Sequence, residues 1–109
     1  MLTAPQFSPA ALQSVRTRIV RAAERAGRDP GSVRLLAVSK QQPAAMVRAA
    51  VTAGQAEFGE NYVQEALAKM ADLADCAIEW HLIGPLQSNK CREVAEHFDW
   101  LQTLDRAKL

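Results

Sequence analysis

Leu35-Leu36-Ala37-Val38-Ser39-Lys40 is a short apolar run closed by a hydroxyl and an amine, and Pro43 opens a helical pattern three residues on. An apolar run of this length, followed directly by a helix start, reads as a strand of a buried parallel sheet. The same unit recurs along the chain. Ala56 to Phe58 leads into Gly59-Glu60-Asn61 and a helix that buries Val63, Ala66, Leu67, Met70 and Leu73. Glu79-Trp80-His81-Leu82-Ile83 leads into Gly84-Pro85 and a short helix from about Ser88 that carries Cys91, Val94, Ala95 and Phe98. Trp100-Leu101-Gln102-Thr103-Leu104 leads into Asp105, which has the form of a cap for a further helix. The strand-end residues Lys40, Asn61, Gly84 and Asp105 stand 21, 23 and 21 residues apart. A constant strand-then-helix period of this size marks a β/α repeat. Right-handed crossovers then make all four strands parallel and bring their C-terminal ends to one rim.

The boundaries follow from local chemistry. Ser8 caps a first helix, Pro9 suits its first position, and Leu12, Val15, Ile19, Ala22 or Ala23, and Ala26 form its apolar face up to Gly27. Asp29-Pro30-Gly31 is a turn, and the first strand is expected over 34–38. The helix opened by Pro43 turns Met46, Val47, Ala50 and Val51 inward and stops at Gly54. Asn61, with Gln64 three residues on, has the pattern of a capping box for the next helix.

Two parallel architectures compete. A doubly wound sheet calls for a glycine-rich turn after its first strand, and Ser39-Lys40-Gln41-Gln42 is not one. An eight-stranded (β/α)₈ barrel of the TIM type needs about eight such units. The chain therefore reads as α/β, with about the first four units of a barrel over residues 1–109, preceded by a helix at about 9–27. The first and fourth strands would then be closing edges. Exposed apolar edges invite association, so these residues by themselves are expected to self-associate.

Composition narrows the function classes. The 109 residues are 49% hydrophobic and 23% charged, which suits a packed core. A net charge of +1 with interspersed signs, and only 6% aromatics, gives no footprint for nucleic acid. No apolar run is long enough to span a membrane, and Met1 to Phe7 lacks the layout of a secretory signal. Cys76 and Cys91 have no metal-ligand spacing, which fits free thiols in a reducing cytoplasm. No metal ligands are expected.

The rim residues carry the chemistry. In a barrel, functional groups sit at the C-terminal ends of the strands, which here means Ser39, Lys40, Gly59-Glu60-Asn61 and the 84–90 segment. A lysine amine held partly desolvated at a strand end is a nucleophile toward aldehydes. Each rim residue also has a plain structural role. Asn61 and Ser88 suit helix caps, Glu60 suits an acceptor for backbone amides, and His81 suits a hydrogen-bonded core residue. Lys90 suits a solvated charge or an anion contact near a helix start.

Three long motifs in order, 36–40 (Leu-Ala-Val-Ser-Lys), 58–65 (Phe-Gly-Glu-Asn-Tyr-Val-Gln-Glu) and 80–90 (Trp-His-Leu-Ile-Gly-Pro-Leu-Gln-Ser-Asn-Lys), resemble the pyridoxal phosphate homeostasis family, also called YggS/PROSC. The tail 95–100 and Asp105-Arg106 resemble its bacterial branch. The resemblance implies a fold-type III barrel like the N-terminal domain of alanine racemase, of which this chain is about the first half. It implies pyridoxal 5'-phosphate (PLP) bound as an aldimine on Lys40, with Asn61, His81 and Ser39 as further cofactor-binding residues. It also implies phosphate contacts from later strands, no established turnover, a cytosolic and mostly monomeric protein, and delivery of the cofactor to PLP-dependent apo-enzymes. The alternatives are a PLP-dependent racemase or decarboxylase of the same fold and a ligand-free fragment. A racemase needs a second proton donor opposed to the lysine, and Tyr62 is the single tyrosine.

Overall fold

The computed structural model describes residues 7–105. The chain divides after Leu35 into two compact units. The first holds helix α1 (Pro9–Arg25) and a 3-10 turn, Pro30–Ser32. Ser8 caps α1 by accepting the Ala11 N–H at 3.1 Å, and Pro9 occupies the first turn. The helix ends where the sequence asks it to. Gly27 takes φ +72°, its N–H reaches Glu24 O, and the Arg28 N–H reaches Ala23 O at 2.9 Å. This is the doubly bonded terminus that a left-handed residue permits.

The second unit alternates strand and helix: β1 (Ala37–Val38), α2 (Ala44–Thr52), β2 (Glu57–Glu60), α3 (Val63–Asp72), β3 (Glu79–Leu82), α4 (Cys91–His97) and β4 (Trp100–Leu101). A 3-10 turn, Ser88–Lys90, leads into α4. Helix α2 ends as α1 does, with Gly54 at φ +100° and the Gln55 N–H on Ala50 O. The four strands form one parallel sheet in the order β1-β2-β3-β4. A doubly wound sheet reverses direction after its first strands. The sequential order found here is that of consecutive units of a (β/α)₈ barrel, as the spacing predicted.

Alternation divides the sheet into two faces. Phe58, Glu60, Trp80, Leu82 and Leu101 share the face on which the helices pack. There Val63, Leu82, Leu86 and Val94 form a buried cluster, with Leu67, Phe98 and Leu101 against it. Phe58 and Leu82 are nearly inaccessible, and burying each contributes about 1.5–3 kcal/mol. The opposite face carries the row Val38, Gly59, His81 and Trp100. Val38 is 54% exposed and Trp100 51% exposed on this face.

The differences from expectation lie at element ends. The first strand is Ala37–Val38 rather than 34–38, and the fourth is Trp100–Leu101 rather than 100–104, because each has a ladder partner on one side only among the described residues. Asn61 does not cap α3. The cap position is Tyr62, and no side chain bonds there. Ser88 makes no side-chain cap either. The helix expected after Asp105, with Arg106, and the N-terminal residues Met1–Gln6 lie outside the described residues. Cys76 and Cys91 are free, and no helix among the described residues is long and apolar enough to cross a membrane.

Candidate functional site

Lys40 stands two residues beyond the end of β1, exposed, at the start of a turn. The partial desolvation expected of it is not supplied by the described residues: the strand ends short of it, and nothing covers its side chain. What the fold supplies instead is a fixed backbone on either side. The Ser39 N–H extends the β1–β2 ladder to Gly59 O at 2.9 Å. Ser39 O accepts both from Gln42 N–H at 3.0 Å and from Lys69 Nζ at 2.6 Å. On the other side, Gln41 adopts φ +62°, the left-handed region that costs a non-glycine residue roughly 1–2 kcal/mol. Its N–H donates to Glu65 Oε1.

Behind this turn lies a buried ionic cluster. Glu60 is 0% exposed and Lys69 7%. Lys69 Nζ donates to Glu60 at 3.0 Å and pairs with Glu65 Oε1 at 3.0 Å. Together with Ser39 O, these acceptors match the three donors of one ammonium. Ser39 Oγ donates to Glu60 Oε2 in a short hydrogen bond. Ser39 therefore points to the helix-covered side, and its hydroxyl is committed to Glu60 rather than displayed on the rim. Glu60 serves a side-chain amine and a hydroxyl, not the backbone amides expected for its carboxylate.

Lys69 went unnoticed in the sequence, although a signal was present. It follows Ala66 by three and precedes Leu73 by four, on the buried stripe of α3, and it stands four after Glu65. The Lys69 ammonium, bonded to Glu65, holds that carboxyl below its ordinary value of 4.5; the Gln41 N–H acts the same way against partial burial. A carboxyl depressed on folding adds stability above its unfolded value and loses it as pH falls through its folded value. Glu65→Gln is accordingly expected to shallow the loss of stability on acidification below about pH 4.5, measured by urea unfolding across a pH series. An unchanged acid limb would show that this carboxylate is not coupled to folding.

Asn61 lies at the end of β2, half-buried, against the β3 rim. Gly84 makes that approach possible: a Cβ at 84 would lie 2.2 Å from Asn61 O and 2.7 Å from its Cα. His81 is 5% exposed and sits within β3, below the rim. Its ring stacks on Trp100 with centroids 5.9 Å apart, and Nδ1 meets Gln102 Nε2 at 3.0 Å. An amide nitrogen donates, so Nδ1 accepts and the proton belongs on Nε2. Nε2 lies 3.5 Å from Glu79 Oε1 and has no hydrogen-bond partner. The ligand atoms of Glu57, Glu79 and His81 lie within 4.8 Å of one another. The layer beneath the rim is thus polar, because positions 57, 79 and 81 fall on the face away from the helices.

A concavity of about 280 Å³ opens beside the rim between Tyr62, Val63, Gln64, Pro85, Gln87 and Lys90. It places Lys90 next to the exposed Tyr62 ring, on the α3 side of the strand ends.

No family model matches the chain. Among curated proteins, the pyridoxal phosphate homeostasis protein of Pseudomonas aeruginosa is 58% identical over 98 residues, covering 90% of this chain and 43% of its own length. That of Escherichia coli K12 is 54% identical over 101 residues with the same coverage. Among solved structures, PipY of Synechococcus elongatus with PLP bound is 52% identical with a TM-score of 0.70, covering 82% of this chain and 42% of PipY. An unknown protein from Bifidobacterium adolescentis is 36% identical with a TM-score of 0.78, over 89% of this chain and 44% of that one. The chain spans less than half the length of each. Over the 43% of their length that it spans, this chain is similar in sequence to the pyridoxal phosphate homeostasis proteins, and its fold is similar to that of PipY.

Proposed function

We propose that this chain contributes the lysine that holds PLP in a protein of intracellular PLP homeostasis. The observation that carries the reading is Lys40: an exposed primary amine at the C-terminal end of a parallel strand, with the backbone pinned on both sides. When bound, the cofactor supplies an aldehyde that condenses with such an amine and releases water. The donor set fits that group. Lys40 offers the amine, Asn61 stands at the neighbouring strand end, and His81 holds a buried Nε2 without a hydrogen-bond partner in the layer below. Lys40 fixes where the cofactor is attached. Asn61 and His81 are the residues proposed to border its ring, and Ser39 acts from behind the strand.

The relatives' name and the PLP-bound PipY support this reading. A role in holding and delivering the cofactor to apo-enzymes in the cytoplasm, without turnover, is part of the same proposal. Tyr62 is exposed at the cap of α3, a placement that favours holding over racemisation, which requires an acid opposed to the lysine.

The test uses the full-length protein with stoichiometric PLP, borohydride reduction and peptide mapping. Of the four lysines in this sequence, Lys40, Lys69, Lys90 and Lys108, the reduced cofactor is expected on Lys40. Predominant labelling of any other lysine would overturn the assignment.

A further inference from the structure

We infer that the buried pair Glu60–Lys69, extended by Glu65, is a positioning device for Lys40. The inference rests on the reading of Lys40 as the cofactor lysine and adds to it the residues that aim the amine. Two facts set this cluster apart from an ordinary core ion pair. First, its hydrogen bonds converge on the two residues that flank Lys40 and on no other part of the turn. Lys69 Nζ holds Ser39 O at 2.6 Å, Glu60 holds Ser39 Oγ, and Glu65 holds the Gln41 N–H. Second, Gln41 keeps a left-handed conformation without being glycine. Such a conformation persists where surrounding bonds over-determine it, and it gathers at sites that need a fixed geometry.

The consequence is mechanical. Lys40 is the middle of three residues whose outer two are tied to α3. Its side chain is free while its Cα is not. An exposed lysine on a loose turn would sample many positions, whereas one on a fixed Cα sweeps a limited volume over the rim. Among the described residues no hydrogen bond or ion pair joins Glu60, Lys69 or Glu65 to the Lys40 amine, so they act through Ser39 and Gln41. A buried pair of this kind is dispensable for stability when apolar groups of similar volume can replace it. Its convergence on the turn is what assigns it a positioning role.

The test compares covalent capture with plain binding in the full-length protein. Capture is read as borohydride-fixed PLP on Lys40, by mass spectrometry. Plain binding is read with pyridoxine 5'-phosphate, which lacks the aldehyde, by fluorescence titration. Lys69→Met is expected to slow capture by about tenfold or more, as misplacement of a reacting group does, with analogue affinity unchanged within about twofold. Glu65→Ala keeps the Glu60–Lys69 bonds, removes one of the three acceptors of the Lys69 ammonium and frees the Gln41 N–H; a loss of about threefold in capture is expected. It carries the test if Lys69→Met fails to fold. Equal losses of capture and analogue binding would overturn positioning in favour of a general structural role. Full capture in both variants would overturn it outright. Lys40→Ala runs alongside. If that variant keeps site-specific capture, the cofactor-lysine reading fails; if it loses capture while the α3 variants do not, the positioning inference alone fails.

Discussion

Gly84→Ala is expected to cost about 3 kcal/mol, at the upper end of what overpacking does, and to shift the Asn61 side of the rim. The added Cβ would lie 2.2 Å from Asn61 O, 2.7 Å from Asn61 Cα and 2.8 Å from Asn61 C. All three atoms are backbone, so no rotamer change relieves the overlap. The segment cannot retreat freely either. Glu60 O accepts the Ile83 N–H at 2.9 Å, and Thr103 Oγ1 donates to Gly84 O at 2.7 Å, which pins the neighbouring strand ends together. Separating them lengthens hydrogen bonds at the top of the sheet. It also moves the chain that carries Glu60.

Gly59 provides the control. A Cβ there would meet Ile83 Cδ1 at 3.0 Å and Leu36 Cδ2 at 3.4 Å, the ends of flexible side chains. Gly59→Ala is therefore expected to cost no more than about 1 kcal/mol, the low end of the same range. Urea unfolding of both variants beside the parent checks the pair. Equal costs would show that backbone approach is not what excludes a side chain at 84.

Gly84 also shows where the sequence was legible and where it was not. Local chemistry could be read. Ser8, Pro9, Gly27 and Gly54 bound the helices as expected, because each acts through a hydrogen bond or a dihedral within a few residues of itself. The strand-to-strand period could be read as well, since it depends only on counting, and it led to the sequential parallel sheet. Asn61 was misread as a cap because the pattern Asn-x-x-Gln describes what a segment could do alone. In the fold, Tyr62 takes the cap position and Asn61 packs its backbone against Gly84. The Gly84 contact spans 23 residues and depends on two loops meeting, which no local pattern encodes. Lys40 was legible as a strand-end amine, but the means by which it is held were not. Those bonds come from a helix nearly thirty residues downstream, and a lysine on a helix face reads as solvated unless its neighbours on the stripe are weighed.

Lys69→Met is expected to destabilise the protein by about 3–5 kcal/mol, the cost of leaving a buried charge without its partner. Glu60 has no route to water at 0% exposure, and with Lys69 gone the one remaining hydrogen-bond partner of its carboxylate among the described residues is the Ser39 hydroxyl. The double replacement Glu60→Leu/Lys69→Met behaves differently. It removes both charges, keeps similar volume, and leaves Ser39 O bonded to the Gln42 N–H. Its stability is expected within about 1 kcal/mol of the parent, since apolar groups often substitute for a buried ion pair at little cost. Urea unfolding of the parent, both single variants and the double variant closes the cycle. A double variant as unstable as Lys69→Met would mean that the pair itself sustains the fold. A stable double variant with its Lys40 turn released separates the two roles. In that outcome the fold does not need the charges, and what they supply is direction: a strand end tied to a helix through an ammonium, so that the next residue's amine is always presented from the same place.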